Sequence, residues 1–135
     1  MTMRLLPLLL LLLVACSSKG PSMKELEILM ESYAIAVRWG DLDGAWEFVD
    51  PETRKNKPLT GFERERLQQF QVAGYEVKRT GMLDGDRMRQ MVEIRLINRN
   101  TQIERIVVDD QIWRWEAEIK RWWLVSGIYD PTKGR

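Results

Sequence analysis

Residues 91–126 read MVEIRLINRNTQIERIVVDDQIWRWEAEIKRWWLVS. Val92, Ile94 and Leu96 alternate with Glu93 and Arg95, the period of two expected of a strand with one face buried. Asn98-Arg99-Asn100 marks a turn. A long strand is expected from Gln102 to Glu116. Its apolar parity changes along the way: Ile106 and Val108 are even, whereas Trp113 and Trp115 are odd. A β-bulge near Asp109-Asp110 would reset the face and leave both carboxylates at the sheet rim. Residues 117–120 turn the chain, and Arg121 to Ser126 form the last strand. Upstream, the period of two begins at residue 72, where Tyr75 and Val77 alternate with Glu76 and Lys78, and Asp84-Gly85 is a tight-turn pair. Hairpin connections of this kind give an antiparallel meander that needs no crossover helices.

The preceding residues have a helical period. Ser22-Met23-Lys24-Glu25 is a capping box, in which the hydroxyl and the carboxylate each satisfy an end amide. Leu26, Leu29, Met30, Tyr33, Ala36 and Val37 then fall on one stripe. Gly40 suits a C-terminal cap. Asp41 can cap a short second helix carrying Leu42, Ala45, Trp46 and Val49, which Pro51 ends. Arg54-Lys55-Asn56-Lys57, beside Pro58, reads as a solvated loop. Thr60-Gly61-Phe62-Glu63 is a second capping box, expected to start a third helix through Leu67 that ends near Phe70. The Asp41-Leu42-Asp43-Gly44 stretch does not fit a calcium loop. Counted from Asp41, position five is Ala45 and position six, where glycine is needed, is Trp46. Helices followed by strands define an α+β fold, with the N-terminal helices packed on a curved antiparallel sheet of about four strands.

The run AIAVRWGDLDGAWEFVD over 34–50, followed by four strands ending in Trp122-Trp123-Leu124-Val125-Ser126, resembles the NTF2-like superfamily, which includes ketosteroid-isomerase and SnoaL relatives. The resemblance covers 22–128 and implies a cone of helices in a curved sheet, with 129–135 as a C-terminal tail. It implies an interior pocket, for which Tyr33, Trp46 and Trp113 are the lining candidates. Enzymes of the superfamily place an aspartate or histidine and an oxyanion-binding tyrosine inside the cone. This chain has no histidine. Its polar candidates are Tyr33, Tyr75, Glu93, Arg95, Asp109 and Asp110. None forms a motif, so no catalytic, metal or cofactor residue is assigned and a non-enzymatic protein is expected. Glu93 and Arg95 share a strand face that normally meets water.

The N-terminus carries a different message. Arg4 is the one charge in the first fifteen residues, and an unbroken apolar run follows from Leu8 to Ala15. A short basic region and an apolar stretch of roughly ten residues are the pattern of a secretory signal. A membrane-spanning helix would need about 20 apolar residues. Leu13-Val14-Ala15-Cys16 resembles the lipobox of bacterial lipoproteins. The resemblance implies cleavage before Cys16, a diacylglyceryl group on its thiol and usually a further acyl chain on its new amine. Residues 1–15 are thus expected to be a signal peptide, and 16–21 the acylated cysteine and a short linker. Ser17 at the next position implies export to the periplasmic face of the outer membrane, should the cell be Gram-negative. A single chain binds membranes marginally, at about 0.8 kcal/mol per buried methylene, whereas two or three anchor stably. Cys16 is also the only cysteine, so an intrachain disulfide is impossible.

Removing residues 1–15 takes away one basic side chain, Arg4, of 21, leaving 20 basic against 20 acidic groups. A nucleic-acid binder would carry a basic excess or stripe. Six tryptophans are many for 135 residues. Trp113 and Trp115 share one face with Trp122 or Trp123 across from them, an arrangement expected first of all to fill the core and brace the last hairpin. Trp122 and Trp123 are adjacent on a strand, so the alternative is that one of them projects outward and offers a partner surface. The expected role is therefore a lipid-anchored binding or scaffold module of the cell envelope. Its partners would be the bilayer through Cys16 and an envelope protein, or a second copy through the sheet. A carrier of a small apolar ligand is the alternative, and a ketosteroid-isomerase-type enzyme ranks below both.

Overall fold

The computed structural model describes residues 20–134. Residues 1–19, on which the expected signal peptide, Cys16 and most of the expected linker fall, lie outside the described residues. Four helices precede four strands: α1 Met23–Arg38, α2 Leu42–Trp46, α3 Pro51–Asn56, α4 Gly61–Gln68, β1 Phe70–Met82, β2 Arg87–Asn98, β3 Glu104–Glu116 and β4 Arg121–Leu124. The strands form one open, curved antiparallel sheet in the order β1-β2-β3-β4. The fold is thus α+β, with the helices on the N-terminal side of the chain.

Helix α1 begins where Ser22 accepts a hydrogen bond from the Glu25 amide, and it ends at Trp39 before Gly40. Gly40 has φ +69°, a left-handed conformation that costs glycine nothing. Asp41 caps α2 through the Gly44 amide, at 2.9 Å. A Cβ at residue 44 would collide with that same carboxylate, which explains the glycine. Pro51 does not merely end a helix. It is the first residue of α3, where its missing N–H is no loss, and Asp50 is the cap. The basic run expected to be a loop is therefore mostly helical. The Thr60–Glu63 capping box forms in both directions.

The buried stripe of α1 lies against the sheet's inner face, where Val92, Ile94 and Leu96 of β2 meet Val107 and Trp113 of β3. Trp122 of β4 fastens the start of α1, its indole N–H donating to the Ser22 carbonyl at 2.8 Å. The two edges of the sheet differ. Residues 48–50 run alongside β4, with the Leu124 amide bonded to the Phe48 carbonyl and the Asp50 amide to the Leu124 carbonyl. β1 is the other edge strand.

Three further expectations need correction. First, β3 has no bulge. Its pairing with β2 is unbroken from Arg87↔Arg114 to Ile97↔Glu104, so Asp109 and Asp110 sit in regular positions opposite Val92 and Met91. The register shifts lie in β1 instead, at Val72/Gly74 and Val77/Arg79. Secondly, the stretch expected to be a tail beyond the domain packs on it over the described residues 129–134. Tyr129 and Pro131 are buried, the Pro131 carbonyl accepts from Arg105 at 2.7 Å, and Gly134 bridges to Val107. Thirdly, neither Trp122 nor Trp123 projects into solvent: they are 1% and 7% exposed. Trp122 points inward and packs on Trp115 across the hairpin, with ring centroids 5.5 Å apart. Trp123 faces the other way, as alternation demands, but Arg121 lies over its ring at 4.0 Å and Glu116 accepts its indole N–H.

Candidate functional site

The unbroken register of β3 decides what lies inside. Its inward positions are the odd ones: Val107, Asp109, Gln111, Trp113 and Trp115. Two polar side chains therefore enter the core between apolar neighbours. Ile106 and Val108, which carry the opposite parity, lie on the outer face. There Asp110 takes a two-pronged hydrogen bond from Arg89, at 2.7 and 2.6 Å, and its carboxyl is held below the usual range. Glu93 and Arg95 are on that outer face too. Lys78 approaches Glu93 at 3.4 Å, and Arg95 pairs with Glu104 at 3.2 Å.

Inside, Gln111 is fully buried and is the hub. Its amide nitrogen donates to Asp109 Oδ2 at 2.8 Å and to the Tyr75 hydroxyl at 2.9 Å, and its amide oxygen accepts the Trp113 indole N–H at 3.2 Å. Asp109 is 6% exposed, and no salt bridge among the described residues reaches it. Burial pushes its carboxyl up to about 7, with Asp110 adding to the rise and the Gln111 hydrogen bond and Lys133 opposing it. The rise follows from taking a carboxylate out of water without a cation. The phenols of Tyr75 and Tyr129 are pushed up to about 12, chiefly by burial and further by the Asp109 charge. Tyr33 rises well above its ordinary value for the same two reasons. Its hydroxyl has no hydrogen-bond partner of normal geometry among the described residues, although the Tyr129 backbone favours the phenolate slightly.

Tyr75 reaches from this network to a hollow of about 550 Å³ between α1 and the β1–β2 hairpin. Leu26, Met30 and Ala34 of α1 face Val77 and Met88 across it. From the sheet, Tyr75, Thr80 and Gln90 contribute polar side chains to the lining, with Gln90 donating to Thr80 at 3.0 Å. Glu27, Glu31 and Arg38 line it as well, and Arg38 lies 5.2 Å from the centre of the Tyr75 ring. Concave, mostly apolar hollows with a few placed polar groups are what small-molecule sites look like.

The three pocket candidates do not share this hollow. Tyr33 and Trp113 meet edge to face at 5.8 Å, and Phe48 joins them to fill that part of the core. Trp46 lines a separate hollow of about 220 Å³ with Leu59, Leu67 and Tyr129. The inward direction of Asp109 and the part played by Gln111, Gln90 and Thr80 escape the sequence reading. The signal is present in β3: odd positions 107, 113 and 115 are apolar, so 109 and 111 belong with them. Among the described residues, no helix is long and apolar enough to cross a membrane. Comparison of the chain with protein-family models, with curated proteins and with solved structures yields no match.

Proposed function

We propose that this is a bacterial envelope lipoprotein, held to the membrane by acyl chains on Cys16, whose NTF2-like domain binds a small, largely apolar molecule in the hollow between α1 and β1–β2. The observation that carries the reading is that hollow: about 550 Å³, with Leu26, Met30 and Ala34 facing Val77 and Met88 across it, and polar side chains from the sheet (Tyr75, Thr80, Gln90) and from α1 (Glu27, Glu31, Arg38). We read the site as one of binding. A general base must come within about 3 Å of the proton it takes. Asp109, a buried carboxylate of raised pKa, is not among the residues lining the hollow, and the carboxylates that do line it, Glu27 and Glu31, are exposed to water. Gln111 bonds to both Asp109 and the Tyr75 hydroxyl and so links the carboxylate to the wall.

Filling the hollow tests the binding. Val77 lines it and is half exposed, so Val77→Trp adds bulk without opening the core. The variant is expected to keep the circular dichroism spectrum of the parent and to bind a fluorescent naphthalene probe at least tenfold more weakly, about 1.4 kcal/mol. Equal binding by the two proteins would remove the hollow as the site. The anchor has its own test. Protein from its native host should carry a Cys16 N-terminus with a mass increase equal to two or three acyl chains, and Cys16→Ser should leave the membrane fraction. An unmodified thiol ends the lipoprotein reading.

A second reading, docking to an envelope partner, draws on one side chain. Trp39, at the end of α1, is 83% exposed, and with Arg38, Phe70, Val72 and Arg99 it lines a hollow of about 430 Å³. A partner that co-purifies with the parent protein and is lost on Trp39→Ser would favour it.

A further inference from the structure

Resting on the reading of Cys16 as a lipid anchor, we propose that one end of the domain sits in the bilayer surface: the tips of the β1–β2 and β3–β4 hairpins, beside the start of α1, place Met82, Leu83 and Ile119 at the boundary of headgroups and acyl chains. Hydrogen bonds bring these segments together. The Trp115 amide donates to the Asp86 carbonyl at 2.7 Å, which lays the β1–β2 tip against the end of β3. Trp115 pairs with Trp122 across the β3–β4 hairpin, whose turn carries Ile119. Trp122 in turn donates to the carbonyl of Ser22, the cap of α1. The two tips and the point where the chain enters from Cys16 therefore lie at one end of the molecule.

Turns ordinarily carry Gly, Asn, Asp or Ser, and Asp84-Gly85 follows that habit. Met82, Leu83 and Ile119 do not. They are 57%, 44% and 57% exposed, and Met23, in the first turn of α1, is exposed at the same end. The tether decides what meets them. From Cys16 to Gly20 is four residues, a span of at most about 14 Å. The far end of the sheet, where Ile103 is also exposed, is about 40 Å away along the 13 residues of β3. Acyl chains on Cys16 thus keep the tip end beside the lipid, whichever way the domain leans. Apolar side chains held there gain by leaving water for the acyl boundary. Charge adds little. The tips hold Asp84, Asp86 and Glu118 against Arg87 and Lys120, with Arg87 paired to Asp84. Anionic headgroups attract basic clusters, and these tips offer none, so the surface they fit is one of neutral headgroups.

The test uses the acylated protein, purified from its host and reconstituted in phosphatidylcholine vesicles, with a thiol-reactive nitrobenzoxadiazole dye at single positions. With Cys16 acylated, Leu83→Cys, Ile119→Cys or Ile103→Cys supplies the one reactive thiol. Emission from the labels at positions 83 and 119 should shift to the blue, and aqueous iodide should quench them severalfold less than the label at 103. Raising the salt should leave that difference in place, because exposed charges are what salt screens. Adding Ile119→Glu to the Leu83→Cys protein should restore quenching at 83, since a carboxylate at the tip resists entry into lipid, whereas adding Ile103→Glu should not. Equal quenching at all three positions, whether strong or weak, would overturn the contact. Failure of the anchor reads differently: the parent protein, with no added cysteine, would then take the dye at Cys16, and the contact would fall together with the lipoprotein reading.

Discussion

Asp109→Asn is expected to make the protein more stable at pH 8, by roughly 2–3 kcal/mol, and to leave it nearly unchanged at pH 3. An ordinary aspartate titrates near 3.8, whereas burial moves Asp109 to about 7 in the folded chain. Below pH 4 the carboxyl is protonated in both the folded and unfolded chains and contributes nothing. Between 4 and 7 the folded chain keeps a proton that the unfolded chain has released. The folded state then binds more protons, so stability falls as pH rises through this window. Above 7 the folded chain carries a buried, uncompensated charge at full cost. Asparagine carries no charge at any pH, and its amide oxygen still accepts from Gln111. Its own N–H₂ needs a partner, which trims the gain. Asp110 and Asp130 behave in the opposite sense, because Arg89 and Thr132 hold their carboxyls low. Those contributions occur in both proteins and cancel in the difference. Chemical denaturation of the two proteins at pH 3, 5 and 8 is the measurement. An Asp109→Asn variant no more stable than its parent at pH 8, or a difference that does not vary with pH, would mean that Asp109 is not the buried charge described.

That cost bears on how much of the molecule can be read from its residues. The helix starts at Ser22 and Thr60, the Asp41 cap, the Gly40 stop and the four-strand meander follow from side-chain chemistry within a few residues, and the structure contains them. The errors arise where an assignment depends on how side chains meet across the fold. Arg121 and Glu116 cover Trp123, and strand alternation by itself does not reveal a cover. Pro51 both ends one turn and begins another, and Asp50, which caps the second, is itself fixed from β3 by Arg114 at 3.0 Å. The instructive case is the β3 parity. Ile106 and Val108 suggest an even inward face and Trp113 and Trp115 an odd one, and a bulge between them reconciles the two without burying Asp109 and Gln111. A bulge therefore looks cheaper than two polar residues in the core. The fold takes the costlier course, and the residues that break the pattern are those that connect to the hollow. Positions where local preference fails are often sites of function or strain, and a buried carboxylate of raised pKa marks such a place.

Trp113 is where the core and the site meet, and replacing it should have the largest effect on stability. The side chain is fully buried, makes edge-to-face contacts with Tyr33 at 5.8 Å and Phe48 at 6.4 Å, and holds the Gln111 oxygen. Trp113→Ala removes all three and leaves a cavity that the sheet, paired on both sides at this point, cannot close. The expected loss is about 3–5 kcal/mol, a large share of the roughly 5–15 kcal/mol typical of a domain. Trp113→Phe separates the contributions. It retains an aromatic ring among Tyr33 and Phe48 but orphans the Gln111 oxygen, an expected loss of about 1–3 kcal/mol. A second substitution then isolates the hydrogen bond. In the Trp113→Phe background, Gln111→Leu removes the orphaned group and should cost less than the same change in the parent protein, where it breaks three bonds at once. Urea denaturation of the four proteins completes the cycle. Additive losses would mean that Trp113 and Gln111 act independently, and the amide would then lose the restraint that orients it toward Tyr75.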